Sequence, residues 1–143
     1  VVEQVKQIYQ PAAEARGVAL VVEAETPGPT VAGIEELLIQ LLGNLIDNAL
    51  RHSPDGGAVR IQSGVRPEGG VGLAVTDSGP GIPDEFAQKI FERFAQVPGG
   101  ETGTAGLGLP LAAQIAAVHG GELKLANPGQ PGARFECRLP ASV

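Results

Sequence analysis

The stretch from Ile34 to His52 constrains the fold most. Leu38, Leu41, Leu42, Leu45, Ile46 and Ala49 recur at helical spacing and form a broad apolar stripe. Such a helix is stable when a second layer covers the stripe. Segments suited to that layer flank it. Val18 to Glu25, Ala58–Val65, Val71–Thr76, Glu122–Ala126 and Ala133–Leu139 read as strands. Val1 to Arg16 carries apolar residues near helical spacing and ends at Gly17. A third helix runs from Leu109 to Val118, with Pro110 suited to its first turn and Gly120-Gly121 past its end. A short helix is expected around Asp84–Phe91. Thr26-Pro27-Gly28-Pro29, Ser53-Pro54-Asp55-Gly56-Gly57, Arg66 to Gly70 and Asn127-Pro128-Gly129 read as turns. The expected fold is a two-layer α/β (α+β) sandwich, a mixed sheet of about five strands covered on one face by three helices. Residues 1–143 make a single domain, long enough for a real core.

Aromatic residues are 3% of the chain and Trp and Met are absent, so Leu, Val, Ile and Ala must build that core. The net charge of −6, with basic residues scattered along the sequence, argues against nucleic acid as a partner. A single cysteine, Cys137, excludes an internal disulfide and a cysteine-rich zinc site. It sits in a strand and reads as a quiet structural thiol. No run is long or apolar enough to span a bilayer and no signal peptide is visible. A soluble segment in a reducing compartment, without direct membrane contact, is expected.

Three short patterns carry chemistry. Asp77-Ser78-Gly79-Pro80-Gly81 follows the strand Val71–Thr76. A carboxylate at a strand end is fixed in space and can accept a hydrogen bond from an amino group, and the glycines let the backbone turn sharply. Asn44 and Asn48 are four apart and share a helix face, which Arg51 and His52 extend, opposite much of the leucine stripe. An asparagine carbonyl is a hard neutral oxygen ligand that suits Mg²⁺ held mainly by phosphates. Gly106-Leu107-Gly108-Leu109 precedes a helix, whose free N–H groups suit a phosphate. Taken singly, each has a plainer reading: a tight turn, two solvent-facing amides, a flexible glycine pair.

In this order and spacing, the three patterns resemble those of the ATP-binding catalytic domain of sensor histidine kinases, within the gyrase, Hsp90, histidine kinase and MutL superfamily. The resemblance covers nearly the whole chain, through Phe135 to Pro140, and implies a Bergerat-type ATP-binding fold with an ATP lid at about 80–107. It implies ATP and Mg²⁺ as ligands, with Asn48 coordinating the metal and Asn44 assisting. Arg51 would contact phosphate. His52 either lies near the base or ribose or simply stands near a helix end. Asp77 would accept the N6 amino group of adenine and repel the oxygen of guanine. Gly79, Gly81 and Ile82 would carry the backbone past the base. Phe91-Glu92-Arg93-Phe94 resembles the family's phenylalanine box. There Ile90, Phe91 and Phe94 would anchor the lid and Arg93 would reach the γ-phosphate or the partner domain. Gly106, Leu107, Gly108 and Leu109 would line the phosphate end. Two departures stand out: Thr104 takes a position usually held by glycine, and Pro110 replaces a commoner small residue.

Asn44 separates branches of the superfamily. The gyrase, Hsp90 and MutL branches and the serine-directed anti-sigma kinases carry a glutamate there, which serves as general base. A histidine acceptor, partly neutral at pH 7, needs little such help. The resemblance therefore implies a protein histidine kinase. Asn44, Arg51 and Arg93 would assist transfer of the γ-phosphate to a histidine on a dimerisation domain not contained in these residues. Neither His52 nor His119 suits that acceptor; His119, before Gly120-Gly121, reads as a helix cap. A response regulator would take the phosphate next. The parent would be a homodimeric inner-membrane sensor with this domain in the cytoplasm. Two rivals remain: a serine-directed anti-sigma kinase, and a nucleotide-sensing module without transferase activity.

Overall fold

The computed structural model describes residues 2–24, 35–66, 70–86, 89–91 and 105–140. Its strands are β1 (Ala19–Ala24), β2 (Ala58–Val65), β3 (Val71–Thr76), β4 (Glu122–Leu125) and β5 (Arg134–Leu139). They form one sheet in the order β1-β2-β3-β5-β4. β1 and β2 run parallel and every other pair antiparallel, the mixed sheet that was expected.

Side-chain alternation decides how the layers stack. Cross-strand register aligns Val22, Ile61, Val75, Phe135 and Leu125 in one apolar row across all five strands. Val59, Val71, Leu73, Cys137 and Leu139 lie on that face too, and all are buried. The opposite face carries Glu23, Arg60, Gln62, Gly64, Gly72, Ala74, Arg134, Glu136 and Arg138. With only one apolar face, the sheet takes helices on one side.

Those helices are α1 (Val2–Arg16), α2 (Glu35–His52) and α3 (Ala105–Val118). α2 lies between the other two and packs against β2 and β3 as well. It is therefore covered on nearly every side: Leu41, Leu42, Leu45 and Ile46 are fully buried and Leu50 almost so. α1 approaches closely because Gly43 has no side chain; a Cβ there would stand 2.8 Å from the Tyr9 hydroxyl. Arg16 Nη1 donates to the Leu50 carbonyl at 3.2 Å, tying the C-terminal ends of α1 and α2 together. Phe91 packs edge-to-face on Phe135, with ring centroids 6.1 Å apart and planes at 87°.

Three expectations need correction. The asparagine face of α2 does not oppose the leucine stripe but adjoins it; Asn48 is buried, because a helix enclosed by two helices and a sheet has little solvent face. α3 begins at Ala105, so Pro110 lies inside the helix and the glycine pair forms its first turn. The short helix around Asp84–Phe91 is two 3₁₀ turns, Asp84–Phe86 and Lys89–Phe91. Cys137 behaves as expected: it is buried and unbridged, and burial pushes its thiol up to about 12.

Phe135 is 2% exposed at the centre of the apolar row. Phe135→Ala is expected to lower unfolding free energy by ~3–5 kcal/mol. Urea denaturation followed by circular dichroism measures it, and a loss below about 1 kcal/mol would contradict this account of the core.

Candidate functional site

Asp77 has the same strand parity as Leu73 and Val75, so its carboxylate turns towards the helix layer just where β3 ends. It is 6% exposed. Oδ1 accepts from the Gly79 N–H at 2.8 Å and from the Ala133 N–H at 3.0 Å. The Asp77 N–H in turn donates to the Ala133 carbonyl at 3.0 Å. One carboxylate oxygen is thereby immobilised, and no described residue donates to the other. Burial raises the Asp77 pKa above its ordinary value, opposed by the two backbone N–H groups and by the nearby His52.

The turn after Asp77 is pressed between two other segments. A Cβ on Gly79 would collide with the His52 carbonyl, and one on Gly81, at φ +86°, with the Gln130 carbonyl. The Ser78 N–H donates to Ser53 Oγ at 3.1 Å. Ser78 Oγ donates to the Ala58 carbonyl at 2.6 Å and accepts from the Ala58 N–H at 2.9 Å. On the other side, the Gly132 N–H reaches the Gly79 carbonyl at 2.8 Å and the Gly129 N–H reaches the Ile82 carbonyl at 2.7 Å. Asn127 closes this β4–β5 turn, with Nδ2 donating to the Gly132 carbonyl at 2.8 Å and Oδ1 accepting from the Arg134 N–H at 2.9 Å. The C-terminal end of α2, the end of β3 and the β4–β5 turn thus meet at one carboxylate.

His52, Asp77, Gly79, Gly81 and Ile82 are brought together here. Asn48, Arg51 and Asn44 continue along α2 away from the turn. Asn44 Nδ2 is buried without a hydrogen-bond partner among the described residues, an orphan that a ligand atom or bound water would satisfy. Arg51 pairs with Asp47 at 2.9 Å. Ile82, Ile90 and Leu109 are buried in the core, so they hold their segments to the body of the domain. Gly106, Leu107 and Gly108 lie in the first turn of α3, where N–H groups have no helical acceptor. Arg93, Phe94 and Thr104, and most of the lid, lie outside the described residues. His119 Nδ1 contacts the Ile115 carbonyl at 2.8 Å, in keeping with a cap. Among the described residues, no group of three or more His, Cys, Asp or Glu side chains could hold a metal.

Sequence reasoning missed Ser53, Ser78, Asn127 and Ala133. In the sequence Ser53 and Asn127 read only as turn residues. The signal was present in part: a serine directly after a helix and an Asn-Pro-Gly turn both favour side-chain to backbone bonds.

With this geometry in view, residues 33–143 match the family described as histidine kinase-, DNA gyrase B-, and HSP90-like ATPase. The chain belongs to that family. Among HATPase relatives, the alginate biosynthesis sensor protein KinB of Pseudomonas aeruginosa is 43% identical over 140 residues, covering 96% of this chain and 23% of KinB. The signal transduction histidine-protein kinase BaeS of Escherichia coli is 37% identical over 114 residues, covering 78% of this chain and 24% of BaeS. The chain thus spans about a quarter of the length of these relatives. Among solved structures, the mycobacterial sensor histidine kinase MprB superposes with a TM-score of 0.84 at 30% identity, over 97% of this chain and 94% of that one. Full-length ShkA in complex with AMPPNP gives 0.85 at 30% identity, over 99% of this chain and 29% of that one. The five-stranded mixed sheet with three helices is therefore the HATPase fold of histidine kinase catalytic domains.

Ser53 is 8% exposed, so losing its hydroxyl strands the Ser78 N–H. Ser53→Ala is expected to cost ~1–3 kcal/mol of stability, read from the shift in denaturation midpoint. Ser53→Thr, which keeps an acceptor oxygen, should recover most of it.

Proposed function

We propose that this domain binds Mg²⁺-ATP and presents the γ-phosphate to a histidine outside this chain, as the catalytic part of a sensor histidine kinase. The observation that carries the reading is Asp77: one carboxylate oxygen held by two backbone N–H groups, the other left to accept a hydrogen bond. A fixed acceptor of this kind suits the N6 amino group of adenine. Guanine presents an oxygen at that position, which the carboxylate repels. The AMPPNP bound to ShkA and the names of KinB and BaeS agree with a nucleotide-using signalling kinase.

The side chains of α2 fit the remaining ligands. Asn48 and Asn44 offer neutral amide oxygens for Mg²⁺, and the orphaned Asn44 amide fits a site completed by phosphate or metal-bound water. Bound there, Mg²⁺ neutralises charge on the phosphates. Arg51, oriented by Asp47, adds a positive charge on the same helix. The first turn of α3 directs free N–H groups to the phosphate end, and Arg93 and Thr104 belong to the lid side of this reading. None of these residues is a strong base, which suits transfer to a neutral imidazole. The bond from the γ-phosphorus to the β–γ bridging oxygen breaks, ADP leaves with the electron pair, and a phosphorus–nitrogen bond forms on the acceptor. Positioning and charge neutralisation are what the protein supplies. The acceptor would stand on a dimerisation domain of the same parent, a response regulator would follow, and the parent would be membrane-anchored with this domain in the cytoplasm. No helix among the described residues is long and apolar enough to cross a membrane.

Pro110 favours a second reading. Proline lacks the N–H that would bond to the Gly106 carbonyl, so the first turn of α3 is loosely joined to the rest. A nucleotide-sensing module without transferase activity tolerates that; it would bind ATP and never label a supplied dimerisation domain.

Calorimetric titration with ATP and GTP in Mg²⁺ tests the main reading. Saturable ATP binding is expected, with GTP silent and Asp77→Asn at least ~tenfold weaker. A folded sample that ignores ATP sinks it. Binding should also depend on pH. The Asp77 pKa is raised chiefly by burial, so the carboxylate takes its proton at a higher pH than an ordinary aspartate. ATP affinity should therefore fall as pH is lowered through that raised pKa, and Asp77→Asn should lose this acid limb. For folding the sign is opposite: the ionised carboxylate is the disfavoured form, so its contribution to stability declines as pH rises through the same window.

A further inference from the structure

The turn between β4 and β5 directs nearly all of its backbone donors outward. Pro128 and Pro131 have no N–H, so residues 128–133 carry four, on Gly129, Gln130, Gly132 and Ala133. All four are engaged. Gln130 closes the turn on the Asn127 carbonyl; the other three donate to the Ile82 carbonyl, the Gly79 carbonyl and Asp77 Oδ1. The turn thus keeps little with which to hold its own shape, although Gly129 and Gly132 stand at φ +79° and +74°. Strand pairing gives it little help. The β3–β5 register ends at Thr76 opposite Arg134 and the β4–β5 register at Leu125 opposite Phe135, both short of Ala133.

The Asn127 side chain takes over where the ladders stop. Two successive peptide groups, 132–133 and 133–134, lie between it and Asp77. In the first, the Gly132 carbonyl accepts from Asn127 Nδ2 at 2.8 Å while the Ala133 N–H donates to Asp77 Oδ1 at 3.0 Å. In the second, the Arg134 N–H donates to Asn127 Oδ1 at 2.9 Å while the Ala133 carbonyl accepts from the Asp77 N–H at 3.0 Å. A peptide group is planar, so fixing one end sets the direction of the other. A carboxamide offers one donor and one acceptor side by side, and these partners leave it a single orientation.

We propose that Asn127 is a positioning residue for base recognition: acting through these two peptide groups, it aims the free oxygen of Asp77 and sets the preference for a purine with a 6-amino group. The inference rests on the reading of Asp77 as the adenine acceptor. It adds to that reading a specificity determinant that works at a distance from the base, through backbone alone.

Calorimetric titration of the whole chain tests it, with Mg²⁺-ATP and with purine riboside triphosphate, which carries hydrogen in place of the N6 amino group. Asn127→Ala is expected to weaken ATP ~five- to tenfold and purine riboside triphosphate less than ~twofold, narrowing the gap between the ligands. Asn127→Asp keeps an acceptor for the Arg134 N–H but loses the donor, and should narrow the gap as well. Val71→Ala, a destabilising change at the opposite end of β3, should leave the gap intact. The acid limb of ATP binding is a second readout. Burial raises the Asp77 pKa, while the Gly79 and Ala133 N–H groups and the charge of His52 on α2 lower it. Loosening the Ala133 N–H in Asn127→Ala should therefore move the fall in ATP affinity to higher pH. The titrations of His52 and of the nucleotide phosphate are common to both proteins and drop out of the comparison.

No ATP binding by the unaltered chain, or a gap that Asp77→Asn leaves unchanged, would sink the reading of Asp77 and this proposal with it. A gap closed by Asp77→Asn but kept by both Asn127 variants, with an unmoved acid limb, would overturn this proposal alone. So would equal narrowing by Val71→Ala, or failure of both Asn127 variants to fold as judged by circular dichroism.

Discussion

Everything in this domain is arranged around the burial of α2. A helix whose Leu38, Leu41, Leu42, Leu45, Ile46, Leu50 and Asn48 all avoid water must be enclosed by α1, α3 and the sheet together. That enclosure fixes the helix in rotation and in translation. Its asparagines consequently hold fixed places on the flank of the helix, upstream of the point where the chain turns out through His52 and Ser53. The hydrophobic effect supplies the force, and the placement of the asparagines is its geometric by-product.

Two sequence motifs nearly thirty residues apart are thereby made one object. The backbone of His52 lies so close to Gly79 that no side chain fits between them, and Ser53 and Ser78 join the two segments by a hydrogen bond. The third support, the Ala133 N–H, comes from a turn at the far end of the chain. An immobilised carboxylate presents its second oxygen without losing rotamer freedom when a ligand arrives, which is how preorganisation raises affinity. It is also kept from the water that would otherwise solvate it, the cause of its raised pKa.

Much of this was legible in the sequence because the signals were local. β3 was legible to the residue and β2 nearly so, since alternation and flanking turns both mark them. The start of α3 was not, because Pro110 is a strong first-turn signal and here it stands inside the helix, overridden by the burial of Leu109. Asp77 announced itself through its glycines. Ala133 did not, since a backbone N–H carries no residue identity and only the fold brings it within reach. The outer face was illegible for a related reason: residues far apart in sequence become neighbours only once the strand order is known.

Tyr9 lies on Gly43 at the joint of α1 and α2, half-buried, with its hydroxyl pKa raised by burial and by Asp47. It is the single tyrosine, and the chain has no tryptophan. The protein's tyrosine emission, which lies to longer wavelength than that of its phenylalanines, therefore comes from one ring in the helix layer. Its brightness reports whether that joint is closed, making the domain a fluorophore-bearing sensor of its own helix packing.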